Sequence, residues 1–259
     1  LTDPSGVITY TNPAARQLAG RTLTELYDGG PWRAAAASLK PSGPEVSPDA
    51  NSFRSVLKIP RPTGEVTLLD MTVKPLFGED GAISHFIGTG KDVSREHAAR
   101  ERLEYIAYHD LVTGLPNRPL FLERLQRAGT QRAQARRLMA VIIADVDRFR
   151  LVNDSHGYGT GDEVLKEVGR RLSSAVGSGD TVARIGGDEF GILLTDVASE
   201  KDVAQVADKL LQSVFQPVRI GAQELVLSLS TGIAHGTPEQ AASNVLLENA
   251  FTAIVRAKK

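Results

Sequence analysis

RIGGDEF, residues 184–190, interrupts an apolar run that enters as TVARI and leaves as FGILL. Two aliphatic segments parted by Gly-Gly-Asp-Glu read as a β-hairpin, because glycine reaches the positive φ of a tight turn without steric cost. A second run, MAVIIADVDRF (139–149), is almost wholly apolar until it meets Asp145 and Asp147. On an extended strand, residues two apart share a face, so these two carboxylates point the same way. Asp145 stands at the exit of a buried strand, where desolvation demands a cation, hydrogen-bond donors or water. If the hairpin pairs beside this strand, Asp145, Asp188 and Glu189 converge, and Gly186 and Gly187 leave room for a bulky group against the backbone. Three hard oxygen ligands with no His or Cys nearby describe a Mg²⁺ or Mn²⁺ site that keeps positions for phosphate oxygens. The alternative is an exposed turn beside a strand-end acid, since Gly and Asp populate turns everywhere.

The segment after the first strand, NDSHGYGTGDEVL (153–165), carries three glycines, with Asn153 before them and Asp162 at the start of the next helix. A carboxylate can accept from the N1 and N2 donors of guanine and an Asn can reach N3 or N7. Equally, Asp162 can simply cap the helix. Around these segments the pattern alternates. PLFLERLQRAG, EVLKEVGRRLSSAV, VAQVADKLLQSVFQP and Asn249 to Lys258 read as helices. MAVIIADVD, the 181–194 hairpin and LVLSLSTGIAH read as strands. Strands interleaved with helices covering one side predict a single α/β or α+β sandwich of about 150 residues.

Residues 1–92 are different in kind. SFRSVLKI, VTLLDMTVKPL and ISHFIGTGKDV are strand candidates parted by PRPTGE and FGEDGA turns. VITYTN is a shorter strand, NPAARQLAG a brief helix, and 26–52 an irregular stretch of short helices and loops. Residues 93–109 lack Gly and Pro and alternate in charge, with Ala99, Leu103 and Ile106 along one side. That is a linking helix whose seam suits either a two-stranded coiled coil or simple packing.

The chain has 259 residues, 41% hydrophobic and 24% charged, with 30 Lys and Arg against 31 Asp and Glu. A net charge of -1 does not call for a nucleic-acid partner. No Cys is present, which excludes disulfides, thiolate catalysis and zinc–thiolate sites and suits the cytosol. No apolar run reaches transmembrane length. Leu1 as first residue and RAKK at the end predict a piece of a longer protein, with any membrane anchor outside it.

Taken together, HDLVTGLPNR (109–118), IADVDRFRLVND (143–154), GTGD (159–162), RIGGDEF and AFTAIVRAK (250–258) resemble, in order, the motifs of the GGDEF family, the diguanylate cyclases. DPSGVITYTNPAA (3–15) and GKDVSRE (90–96) resemble the two ends of a PAS sensor domain. The resemblance implies an α+β protein: a PAS-type antiparallel sheet with short helices over 1–92, a linker helix over 93–109, and a nucleotidyl-cyclase-like sheet flanked by helices over 110–259. It implies condensation of two GTP into cyclic di-GMP with release of two pyrophosphates. Asp145, Asp188 and the Val146 carbonyl would hold Mg²⁺ or Mn²⁺. Glu189 would be a further metal ligand or assist 3′-hydroxyl deprotonation, and Asn153 and Asp162 would bind guanine. Backbone near Phe149, Gly186 and Gly187, with Lys258, would hold phosphates. Each domain holds one GTP, so a homodimer joined through the two half-sites and the linker helix is implied. An EAL-type phosphodiesterase domain beyond Lys259 is a common continuation, and a GTP-binding but silent domain regulating it is the alternative function.

Several positions depart from the family pattern. Tyr158 replaces a usual His, Arg150 a usual Lys, Phe251 a usual Asp and Val255 a usual Tyr. The family's product-inhibition site is Arg-x-x-Asp, whereas GSGD (177–180) offers Asp180 but Gly177 in place of the Arg, so product inhibition through it is expected to be lost. The first domain has no His before His85 and no Cys, which removes the usual haem ligand and flavin-adduct thiol.

Overall fold

The computed structural model describes residues 1–4, 9–13, 52–60, 65–131, 137–220, 223–242 and 244–258. The chain divides into two units, Leu1–Arg102 and Leu103–Lys259. Most of NPAARQLAG, all of 26–50 and the start of VITYTN fall outside the described residues.

In the first unit β1 (Phe53–Pro60), β2 (Val66–Phe77) and β3 (Ile83–Asp92) form an antiparallel sheet in that order. Along β2, Thr67, Leu69, Met71 and Val73 are buried and their neighbours are not, the period of two that a one-sided sheet imposes. Gly90 faces Met71, and a Cβ there would lie 2.5 Å from the Met71 sulfur. Helix α1 (Ser94–Tyr108) follows. Asp92 Oδ1 accepts from the Ser94 amide at 2.9 Å, and Ser94 Oγ accepts from the Leu68 amide at 2.8 Å. No residue of α1 is buried, and Leu103 is 68% exposed.

The second unit continues with α2 (Arg118–Gln131), β4 (Leu138–Val146), α3 (Phe149–His156), α4 (Tyr158–Ala175), β5 (Thr181–Gly186), β6 (Glu189–Val197) and α5 (Glu200–Phe215). After them come β7 (Val218–Ile220), β8 (Gln223–Leu225), β9 (Leu229–Gly236), α6 (Pro238–Ala242) and α7 (Val245–Ala257). The sheet order is β5-β6-β4-β9 and every pairing is antiparallel, which makes the unit α+β.

Helices cover both faces of this sheet, a correction to the one-sided expectation. Ala140, Ile142 and Ala144 of β4 pack with Val164, Val168 and Leu172 of α4 and Leu210 of α5. Met139, Val141 and Ile143 pack with Phe121 and Leu125 of α2 and Ala250 and Ile254 of α7. A central strand of unbroken apolar residues has two faces to bury, and the continuous run in MAVIIA already states this. On β9, a Cβ at Gly232 would come 2.2 Å from the Ala250 carbonyl, so glycine lets α7 lie directly on the strand.

LVLSLSTGIAH is not one strand. β8 ends at Leu225 and pairs only with β7, while β9 begins at Leu229 beside Val146. Among the described residues no helix is long and apolar enough to cross a membrane.

Candidate active site

The β5–β6 hairpin closes with Gly186 opposite Glu189, leaving Gly187 and Asp188 as the turn. Gly187 has φ +45°, the left-handed backbone that an L side chain resists, while Gly186 needs no such freedom. Asp145 on β4 lies in register with Glu189 on β6, and the Val146 amide donates to the Asp188 carbonyl at 3.2 Å. This pairing brings Asp145, Asp188, Glu189 and Val146 to one corner of the sheet.

Electrostatics at that corner are dominated by crowded carboxylates around one ammonium. Asp145 is 6% exposed, and Lys258 Nζ, at the C-cap of α7, reaches its Oδ2 at 2.5 Å. Burial pushes the Asp145 carboxyl up. Lys258 pulls it down, Asp188 and Asp147 push it further up, and the net is above the ordinary range. Glu189 is also raised, by burial first and then by Asp145, against the opposing pull of Lys258. Lys258 feels burial pulling it down, but Asp145, Asp188 and Glu189 outweigh this and hold it above its usual value. Among the described residues no three His, Cys, Asp or Glu side chains are gathered into a closed metal nest. The three acids are neighbours, and Asp145 is turned to Lys258.

Arg184 ties the glycine turn to the segment before α2. Its Nε donates to the Gly187 carbonyl at 2.8 Å, and its Nη1 donates to both Asp110 oxygens at 3.0 and 3.1 Å. Asp110 also accepts from the Thr113 amide and hydroxyl at 2.8 and 2.7 Å. Burial pushes Asp110 up, but Thr113 and Arg184 together hold it below the usual carboxylate range. The Arg184 amide donates to the Pro116 carbonyl at 2.9 Å. Asn117 Nδ2 donates to the Ala107 carbonyl at 3.0 Å, and Asn117 Oδ1 accepts from Leu120 N at 3.2 Å at the start of α2.

The α3–α4 corner holds the other candidates. Asp162 does not cap α4, since that helix begins at Tyr158 behind Gly157 and Asp162 is an exposed residue inside it. Asn153 packs onto Gly161 so closely that a Cβ there would lie 1.9 Å from Asn153 Oδ1. That oxygen is buried and has no hydrogen-bond partner, a state that costs free energy unless a ligand supplies a donor. Asn153 thus lies against Gly161, the residue just before Asp162. The Phe149 ring is core, leaving only its backbone available. Tyr158 is 79% exposed and Arg150 pairs loosely with Asp154 at 3.7 Å. Helix α7 is regular despite its two replacements, with Phe251 packed at the edge of the core and Val255 exposed. Asp180 is already satisfied, accepting from the Gly177 and Thr195 amides at 3.0 and 3.1 Å.

Two contributors were not legible as site residues. Asp110 sits in HDLVTG, where only its partner Arg184 reveals it. Asp147 does not join Asp145; its oxygens accept from the Ser228 and Ser230 hydroxyls, each at 2.6 Å. The signal was the LSLS alternation of 227–230, which turns Leu227 and Leu229 to the core and both serines the other way.

The family profile described as "Diguanylate cyclase, GGDEF domain" matches residues 107–259. The chain is 39% identical over 160 residues to the bifunctional diguanylate cyclase/cyclic di-GMP phosphodiesterase MucR of Pseudomonas aeruginosa, covering 62% of this chain and 23% of that protein. It is 38% identical over 158 residues to the diguanylate cyclase TpbB of Pseudomonas aeruginosa, covering 61% and 36%. It therefore spans less than two fifths of the length of these relatives. Among solved structures, the GGDEF domain of TpbB superposes with a TM-score of 0.53 at 38% identity, over 56% of this chain and 91% of that one. A sensory box/GGDEF family protein from Caulobacter crescentus gives 0.55 at 36% identity, over 58% and 97%.

Proposed function

Because the chain belongs to the GGDEF family, with its GGDEF domain over residues 107–259, we propose that it is a diguanylate cyclase: it condenses two GTP into cyclic di-GMP and releases two pyrophosphates. The observation that carries this reading is the corner where Asp145, Val146, Asp188 and Glu189 meet, one helix away from the unpartnered Asn153 oxygen.

The donor set fits a small hard cation. Mg²⁺ is typically held by one or two carboxylates plus substrate phosphates rather than by an all-protein cage. In this reading Asp145, Asp188 and the Val146 carbonyl, brought to one corner by the β4–β6 pairing, supply the protein's share of the ligands. The bound ion would neutralise triphosphate charge and polarise the α-phosphoryl group. Asn153 and Asp162 bind the guanine edge. Lys258 leaves Asp145 for a phosphate, and backbone at Phe149, Gly186 and Gly187 lies against the triphosphate. The 3′-oxygen of one GTP forms a bond to the α-phosphorus of the other as the bond to pyrophosphate breaks. The proton leaves the 3′-hydroxyl toward Glu189, which stands in register with Asp145 on the neighbouring strand. A second transfer with the roles exchanged closes the ring.

One domain binds one GTP, so the active species is a homodimer with half-sites facing. The exposed seam of α1 is where two copies join, and the 1–92 domain is a PAS-type sensor that controls it. The reaction draws on cytoplasmic GTP, and an EAL-type domain after Lys259 is a natural neighbour. Titration calorimetry with GTP and Mg²⁺ tests the site. Saturable binding that Asp145→Asn and Asp162→Ala each weaken is expected, and the absence of GTP binding would leave a structural module instead.

A further inference from the structure

Asp147 is the acid of the Asp-x-Asp pair that the proposed chemistry does not use, and its surroundings give it a task. Its amide donates to the Ser228 carbonyl at 3.0 Å, and its two carboxylate oxygens each take a serine hydroxyl at 2.6 Å, from Ser228 and Ser230. Three hydrogen bonds therefore fasten one residue to the start of β9 and the residue just before it. Immediately after it, Arg148 is held at φ 55°, ψ 26°, a left-handed conformation that is unfavourable for a non-glycine residue and persists only where neighbours enforce it. Asp147 stands one residue before the N-cap of α3, which is Arg148. No side chain caps the helix. The carboxylate is spent on the serines.

The fastened residues lie between two parts of the candidate site. On one side is Val146, whose amide is held by the Asp188 carbonyl. On the other is Phe149, which opens the helix bearing Asn153. We infer that Asp147, with Ser228 and Ser230, is a positioning residue: it fixes the β4–α3 turn so that the Val146 carbonyl and the Asn153 side chain face the cation and the nucleotide together. The inference rests on the metal–nucleotide reading of the site and adds the group that aligns its two halves.

The test compares the full chain with Ser228→Ala/Ser230→Ala, Ser228→Thr/Ser230→Thr and Asp147→Asn. Mn²⁺ affinity is read by electron paramagnetic resonance, GTP affinity by calorimetry and folding by thermal melting. Residues that orient ligand groups without touching the metal typically cost ten- to a hundred-fold in affinity when removed. The double alanine variant is expected to lose about tenfold in Mn²⁺ affinity and to weaken GTP binding. The double threonine variant, which keeps both hydroxyls, restores both affinities, and Asp147→Asn falls between. A lower melting temperature with unchanged Mn²⁺ and GTP affinity would assign the cluster to folding alone and overturn the inference. So would threonine variants that fold yet stay as weak as alanine. Wild-type chain that binds neither Mn²⁺ nor GTP would refute the site reading itself, and the inference with it.

Discussion

Replacing Arg184 by Met removes the guanidinium that joins HDLVTG to the glycine turn while keeping most of the side-chain volume. Two bonds to Asp110 and one to the Gly187 carbonyl disappear, from groups only 13% and 21% exposed. A hydrogen bond to a charged group contributes about 1.5–3 kcal/mol, and breaking a fully buried pair costs about 3–5 kcal/mol. Asp110 keeps two donors from Thr113 and some access to water, which puts the loss near the lower values, about 2–3 kcal/mol. For a unit of this size that lowers the melting temperature by about 4–10 °C. The pH dependence has a definite sign. Asp110 is held below its unfolded value, so its contribution is complete above the ordinary carboxylate range. It is lost as pH falls below about 4 and through the lowered value. Urea unfolding should therefore show a wide gap between wild type and Arg184→Met near neutrality that narrows in acid. A variant melting within about 1 °C of wild type, or a gap that does not change with pH, would refute the reasoning.

Gly161→Ala places a Cβ where Asn153 Oδ1 now lies, so Asn153 must swing away; GTP affinity measured by calorimetry should fall about tenfold or more with far-UV circular dichroism unchanged. Glu167, between Arg170 and Arg171, has its pKa lowered to about 2, mainly by the Arg170 hydrogen bond. Its stabilisation is complete above the ordinary Glu value and fades as pH drops toward that figure, so Glu167→Gln should cost under about 1–2 kcal/mol at neutral pH and little in strong acid, as read by chemical denaturation. Because Asp180 already serves two amides and Gly177 offers no cation, cyclic di-GMP added to the protein should leave initial rates unchanged; inhibition abolished by Asp180→Ala would contradict this.

The sheet and most helices were legible because their apolar periods are strong. The hairpin and β4 were placed by their unbroken aliphatic runs, and the pairing that aligns Asp145 with Glu189 followed from putting them side by side. What was not legible depended on contacts far apart in sequence. The capping alternative for Asp162 fails, because Gly157 with φ 83° starts α4 earlier than any side-chain signal. The short β7–β8 pair was hidden inside VRIGAQEL, too brief for periodicity to register. Asp147 and Asp145 look equivalent in DVD. Only the serines 81 and 83 residues away separate their roles, and Arg184 meets Asp110 across 74 residues. Side-chain pairings at such separations leave no local pattern.

The most direct measurement is turnover: the chain at high concentration with GTP and Mg²⁺, cyclic di-GMP and pyrophosphate resolved by chromatography, beside Asp188→Ala. Cyclic di-GMP formed by wild type, with two pyrophosphates per product, and lost in Asp188→Ala is the predicted result. Mg²⁺-dependent GTP binding with no cyclic di-GMP at any protein concentration would contradict the cyclase and leave a silent nucleotide-binding domain.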